Sequence, residues 1–186
     1  MTIAVITPTI PGREHLLAEA VASVEAQTVQ PIEHLIGLDV DREGPGVIRN
    51  RLAAQTDAAF VAWLDDDDVL LPNHLEALRR QAAWGADVVW SMFEPVGPWP
   101  FELPAHHCDA VALMPRQNTI PVTCLMRAEV FRAVGGFPPR QGPVFEDWSC
   151  HLRLIAAGAV YHCVHQTTWK YRFTEGGRTL GPEEAP

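Results

Sequence analysis

The chain has 186 residues with 47% hydrophobic content, enough for one domain with a substantial core. Its 14 basic residues face 23 acidic ones, and the formal net charge of −9 excludes a broad basic surface for nucleic acid or an anionic membrane. No apolar run approaches the ~20 residues of a membrane span, and Pro8 and Pro11 interrupt an amino terminus without signal-peptide character, so a cytoplasmic chain with reduced Cys108, Cys124, Cys150 and Cys163 is expected.

Residues 3–7 predict a buried strand, followed by a loop at 8–12 and an amphipathic helix from Arg13 to about Gln27 with Leu16, Leu17, Ala20, Val21 and Val24 on one face. A second strand at 33–38 ends at Asp39, and Gly44-Pro45-Gly46 leads into a short helix at 47–55. The apolar run 58–64 predicts a third strand. A helix at 72–84 turns Leu75, Leu78 and Ala82 inward, and a fourth strand spans 87–93. This alternation argues for an α/β domain whose mostly parallel central sheet is flanked by helices, with ligands at the carboxyl ends of the strands. From 94 to 121 the pattern gives way to a proline-rich loop, of a length that is usually functional. A strand at 122–126, helices at 128–134 and 146–157, and a pair of strands at 159–165 and 167–173 follow. The polar, Gly- and Pro-rich segment 174–186 reads as a flexible tail. The expected organisation is therefore a single domain at 1–173, with halves at 1–93 and 122–173 on either side of the proline-rich loop at 94–121.

The most informative feature is the run Asp65-Asp66-Asp67-Asp68 at the end of the third strand. Four adjacent carboxylates repel one another unless a partner offsets their charge, and a divalent cation with a phosphate is a natural partner for hard oxygen ligands at a strand end. A solvated acidic turn ahead of the Pro72 helix is the alternative, and both readings stand at this point. Arg49 lies on the short helix before the third strand, where a guanidinium reaches a diphosphate or simply faces solvent. Glu146-Asp147 opens a helix, a position that favours negative side chains and should keep Asp147 ionised near neutral pH. The pair follows a glycine- and proline-rich loop from Gly135 to Pro143, and it precedes Trp148, an aromatic of the kind that packs on sugar faces. A carboxylate beside such a loop suits general-base work on a hydroxyl.

Together these segments resemble family 2 glycosyltransferases with the GT-A fold, along nearly the whole chain. Val5-Ile6-Thr7-Pro8-Thr9 through Arg13 is similar to the family's opening strand and nucleotide-binding loop, and Leu38-Asp39 to the acidic strand end that contacts base or ribose. Ile48-Arg49-Asn50 resembles the Ala-Arg-Asn segment, and Trp63-Leu64-Asp65-Asp66-Asp67-Asp68 followed by Leu71-Pro72 the DXD region. Gly135-Gly136-Phe137 and Glu146-Asp147-Trp148 resemble the glycine-rich loop and the ED motif.

The resemblance implies a metal-dependent, inverting glycosyltransferase that moves a sugar from a nucleotide-diphosphate donor, a UDP-sugar first among the options, to a hydroxyl on a glycan, protein or small molecule. It implies a Mn²⁺ or Mg²⁺ ion on Asp67 and Asp65, nucleotide contacts from Pro8, Thr9, Arg13, Asp39, Arg49, Asp65 and Asp66, Asp147 as base supported by Glu146, and acceptor or sugar contacts from Trp148, Gly136 and Phe137. Two departures are visible: the doubled aspartates leave the DXD register open by one residue, and the histidine often found after the late Tyr-Arg segment is absent at Tyr171-Arg172-Phe173. A nucleotidyltransferase of related fold and a non-catalytic sugar-nucleotide or glycan-binding module are the alternatives. The first normally needs a basic glycine-rich first loop, where this chain has only Gly12 and Arg13, and the second does not explain the presence of both Asp67 and Asp147. His106-His107-Cys108 and His162-Cys163-Val164-His165 carry zinc ligand types without an established zinc spacing.

Overall fold

The computed structural model describes residues 1–97, 110–139 and 145–173. Strand β1 (Ile3–Thr9) is buried along its full length, which explains an apolar run with no alternation: both of its faces are covered. Helix α1 (Glu14–Glu25) returns the chain to β2 (Glu33–Leu38), and α2 (Pro45–Ala53) carries it to β3 (Phe60–Trp63) on the other side of β1. Next come β4 (Val69–Leu70), α3 (His74–Ala82), β5 (Val88–Val96), α4 (Ala110–Leu113), β6 (Cys124–Arg127), α5 (Ala128–Ala133), α6 (Glu146–Ala156) and β7 (Tyr161–Arg172).

These strands form one sheet in the order β2-β1-β3-β6-β5-β7-β4. Parallel pairing joins β1 to β2, β1 to β3 and β5 to β7, while β6 runs against both of its neighbours and β4 against β7. The sheet is thus mixed, with its direction set by the parallel strands. Side-chain alternation divides the core in two. Ile6, Val61 and Trp63 meet Ile48 and Leu52 of α2, Phe131 of α5 and Trp148 and Leu154 of α6. Ile3, Val5, Phe60, Ala62 and Leu64 meet Ala20 and Val24 of α1 and Leu75, Leu78 and Ala82 of α3. Because α1 and α2 lie on opposite faces, a crevice opens beyond the carboxyl ends of β1 and β3, where this architecture binds ligands.

Three sequence expectations change. The pair of strands at 159–165 and 167–173 is one strand, β7, whose register against β5 shifts between Ser91 and Phe93. The exposed His165, Gln166 and Thr167 mark this irregularity, and they gave the sequence its false turn. The short β4, directly after the aspartates, carried no sequence signal; it exists through pairing of Val69 and Leu70 with Lys170 and Trp169. Finally, β5 continues through Pro95 to Val96, so the proline-rich loop begins later than expected, and part of its far end is the helix α4. Residues 98–109, with Pro98, Pro100, Pro104 and His106-His107-Cys108, lie outside the described residues, as do 140–144 and the expected tail at 174–186. No helix of the described residues is long and apolar enough to cross a membrane.

A buried polar network ties α3 to β7 and β5. His74 Nδ1 is 2.7 Å from Thr168 Oγ1, which is 2.6 Å from Ser91 Oγ. Burial holds the imidazole neutral, with its pKa lowered to about 3. The unfolded chain takes up this proton near pH 6.5, so the residue's contribution is intact above 6.5 and is lost as pH falls toward 3. Between pH 7 and pH 5, His74 is expected to cost about 2 kcal/mol of stability, and His74→Gln is expected to lose that part of the slope. Urea unfolding of both proteins at the two pH values measures it. Equal slopes would show that His74 is as easily protonated in the fold as out of it.

Candidate active site

The crevice is built from the loop after β1, the start of α2, the turn after β3 and the start of α6. Asp39, just beyond β2, accepts the backbone N–H groups of Glu43 and Gly44, each at 2.8 Å, and so shapes the turn into α2. That turn passes through Gly44 at φ 101° before Pro45 starts the helix. Helix α2 then delivers Arg49 into the interior, 2% exposed. Its guanidinium bonds to Asp65 Oδ1 and reaches Glu146 Oε1 at 3.3 Å, lying over the Phe137 ring at 5.4 Å. Arg49 Nε has no hydrogen-bond partner among the described residues. The solvent-facing reading of Arg49 is therefore excluded: this side chain bridges the acid turn and the ED helix.

Its neighbour Asn50 fixes the glycine-rich loop. Asn50 Nδ2 donates to the Phe137 carbonyl at 2.7 Å, and Asn50 Oδ1 accepts the Phe137 N–H at 2.9 Å. Gly136 sits at φ 69°, and a Cβ there would lie 2.5 Å from Asn50 Oδ1, so only glycine allows this approach. Phe137 packs against Trp63 and Phe131 with ring centroids at 4.9 and 5.1 Å. Trp148 is 4% exposed, and its indole N–H donates to the Met114 carbonyl at 2.6 Å. Both rings are buried in the core and, with Gly136, pack beside Arg49 and α6; the acceptor or sugar contacts expected of Trp148, Gly136 and Phe137 stand as a proposal.

The four aspartates divide by direction. Asp66 turns toward β1, accepting from Thr9 Oγ1 at 2.6 Å and pairing with Arg13 at 2.9 Å. Pro8, beside Thr9, is buried within β1. Asp67 is held by the other arm of the Arg13 guanidinium. Asp68 is buried, accepting the Arg172 backbone N–H at 3.1 Å and the Thr123 hydroxyl at 3.3 Å. Asp65, Asp67 and Asp68 each place a carboxylate oxygen within 4.8 Å of the others, and among the described residues they are the one group of three or more His, Cys, Asp or Glu side chains that could hold a metal ion. At such spacing an ionised pair repels by about 3 to 4 kcal/mol at an effective dielectric near 20. The cost appears in their protonation: burial, then Asp65 and Asp67, push Asp68 well above the usual carboxylate range, and burial followed by Asp65 raises Asp67 against the pull of Arg13. An oxygen-only donor set this crowded fits a hard divalent cation, which would remove the repulsion.

Asp147 stands in the first turn of α6, half-buried, with Oδ1 accepting the Trp148 N–H at 2.7 Å and Oδ2 accepting Asn118 Nδ2 at 3.1 Å. Burial and the adjacent Glu146 raise its pKa, against these hydrogen bonds and Arg49. Burial and Glu146 thus act against the preference for the ionised form that the helix start provides. The sequence reading missed Asn118 and Thr123. Asn118 comes from the stretch read as loop and Thr123 from the start of the strand expected at 122–126, and no motif marks either one.

The family described as "Glycosyl transferase family 2" matches residues 34–135, more than half of the chain. Comparison with curated proteins finds no match. Among solved structures, the fold is similar to that of Staphylococcus aureus TarS: a crystal structure of TarS 1-349 shares 16% identity over 92% of this chain and 60% of its own, with a TM-score of 0.70. The same TarS fragment in complex with UDP-GlcNAc gives 17% identity, 96% and 60% coverage and a TM-score of 0.73. In complex with UDP it gives 16%, 99% and 62%, with a TM-score of 0.71. This chain thus spans about 60% of the length of those structures, and they establish its GT-A-type α/β fold. With the family match over 34–135, the conclusion is that the chain belongs to glycosyl transferase family 2.

Proposed function

We propose that the protein transfers a sugar from a nucleotide-diphosphate donor to a hydroxyl acceptor with inversion at the anomeric carbon. The observation that carries this reading is the convergence of Asp65, Asp67 and Asp68 at the carboxyl end of β3, joined through Arg49 to the helix that bears Asp147. Solved TarS structures with UDP-GlcNAc and with UDP support a UDP-sugar as the donor class. The working unit in this reading is residues 1–173, with donor groups in the first half and acceptor groups in the second.

In this reaction the acceptor oxygen forms a bond to the anomeric carbon while the bond from that carbon to the diphosphate breaks, and the diphosphate leaves with the electron pair. Asp147 takes the acceptor proton, which requires the carboxylate form. Asp65, Asp67 and Asp68 would hold a divalent cation, Mn²⁺ or Mg²⁺, whose chemistry is to offset charge on the leaving diphosphate. Arg13 and Thr9 orient Asp66 and Asp67 from the nucleotide side, and Asp39 shapes the loop assigned to base or ribose. Arg49 holds the two halves in register, so that donor and acceptor meet in one geometry.

Screening nucleotide-sugars by thermal shift with Mn²⁺ tests the proposal. A true donor at about 100 times its dissociation constant is expected to stabilise the fold by about 2.7 kcal/mol, with UDP-sugars ahead of other nucleotides. A screen in which no nucleotide-sugar shifts the transition would refute the transferase reading.

A further inference from the structure

A cavity of about 220 Å³ opens beside Asp67, lined by Glu19, Asp67, Val69, Val96, Lys170 and Arg172. Its floor follows from strand pairing. Val69 of β4 stands opposite Lys170 of β7, and Val96 of β5 stands beside Arg172, two residues further along β7, so the two basic side chains project from the same face. The charges inside it are unevenly matched. Glu19 is bound by Arg172 Nη2 at 2.5 Å, and Asp67 is bound by Arg13. Arg172 spends its Nε on the Asp67 carbonyl at 3.1 Å. The Lys170 side chain, half-buried, forms no hydrogen bond or ion pair with any described residue, including Glu94, which is its neighbour across the β5 and β7 pair. Both carboxylates that line the cavity have an arginine partner, so the ionic side chain of its lining left without a partner among the described residues is Lys170.

Composition sharpens the point. Lys170 is the only lysine in the sequence, against thirteen arginines, so the one side-chain ammonium of the chain stands in this cavity. An arginine fork favours planar, two-point pairing, whereas an ammonium on a flexible stem meets an oxyanion as a point charge. The volume is below the ~300 to 1,000 Å³ of pockets that enclose whole ligands, and it suits one substituent rather than a complete sugar nucleotide. The geometry points to a subsite for a single oxyanion, a phosphate or carboxylate group of a substrate, with Lys170 as its counter-ion. This rests on the transferase reading only for the identity of that substrate. Two sources share the chemistry: the donor's own diphosphate, or an acidic substituent on the acceptor or the transferred sugar.

A single lysine makes the test direct. Reductive methylation with ¹³C-formaldehyde labels Lys170 and the α-amino group alone, and the resonance absent from Lys170→Gln identifies the side chain. The labelled protein is titrated with UDP in Mn²⁺, and separately with glycerol phosphate on protein already saturated with UDP and Mn²⁺. The expected result is a saturable shift of the Lys170 resonance with an unmoved α-amino signal, and calorimetry on the responding phosphate should show about ten-fold weaker binding to Lys170→Gln and near wild-type binding to Lys170→Arg. A shift with UDP assigns the oxyanion to the donor diphosphate; a shift only on adding glycerol phosphate assigns it to a separate acidic substituent. Calorimetric binding of UDP with a Lys170 resonance that neither phosphate moves would overturn the subsite and leave the transferase reading standing. A Lys170 response to glycerol phosphate given alone, in protein that binds no UDP, would support the subsite and count against that reading.

Discussion

Replacing Arg49 with methionine is expected to lower the unfolding free energy by about 3 to 5 kcal/mol, the usual consequence of removing one partner from a buried ion pair. The side chain is 3% exposed and faces Glu146, at 11%, and Asp65, at 33%. Desolvation alone would lower the pKa of this guanidinium, yet Asp65 and Glu146 reverse the direction and raise it. Methionine would fill a similar volume over Phe137 while leaving two carboxylates without their cation. Most of the cost should fall on Glu146, because water reaches Asp65. A second change, Glu146→Gln in the Arg49→Met background, is expected to recover part of the loss, since it removes the stranded charge. Urea unfolding of the three proteins measures both effects. A single variant within 1 kcal/mol of wild type would show that Arg49 does not hold the two halves of the site together.

Asp147→Asn is expected to reduce turnover about 100-fold or more while leaving donor affinity nearly unchanged, because the amide keeps the size and the Asn118 neighbourhood but cannot accept the acceptor proton. The same assignment fixes the pH dependence. Burial and Glu146 place the pKa of Asp147 above that of an ordinary aspartate, so activity should fall with acidification from a higher pH than a solvated carboxylate would give. Asn118→Ala, which removes a hydrogen bond that favours the ionised form, should move this acid limb further upward. Steady-state rates against pH for the three proteins read out both expectations. Wild-type turnover in Asp147→Asn would assign the proton to another group. Glu146 is the first alternative and Asp68 the second, but Glu146 is engaged by Arg49 and Asp68 is buried beneath Arg172 and Thr123.

Much of this arrangement was legible in the sequence because it depends on local signals. An apolar strand running into four aspartates needs no tertiary information to be placed at a sheet end, and the spacing of Leu75, Leu78 and Ala82 fixed the inward face of α3. What was not legible depends on partners distant in the chain. Which aspartates converge is decided by Thr9 and Arg13, which draw Asp66 toward β1, and by Thr123 and Arg172, which hold Asp68 beneath the turn. The burial of Trp148 was not legible because its partner Met114, just after α4, lies 34 residues away. The continuity of β7 was hidden by an irregularity whose exposed residues look like a turn.

In the proposed reaction Asp65, Asp67 and Asp68 form a divalent-cation site that secures a nucleotide diphosphate. Calorimetry of UDP binding, in Mn²⁺ and in EDTA, on wild type, Asp67→Asn and Asp66→Asn tests it most directly. The expected result is binding in Mn²⁺ that is lost in EDTA, weakened at least ten-fold in Asp67→Asn, and weakened less in Asp66→Asn, whose side chain faces Thr9 and Arg13. Equal UDP affinity in Mn²⁺ and in EDTA would contradict it.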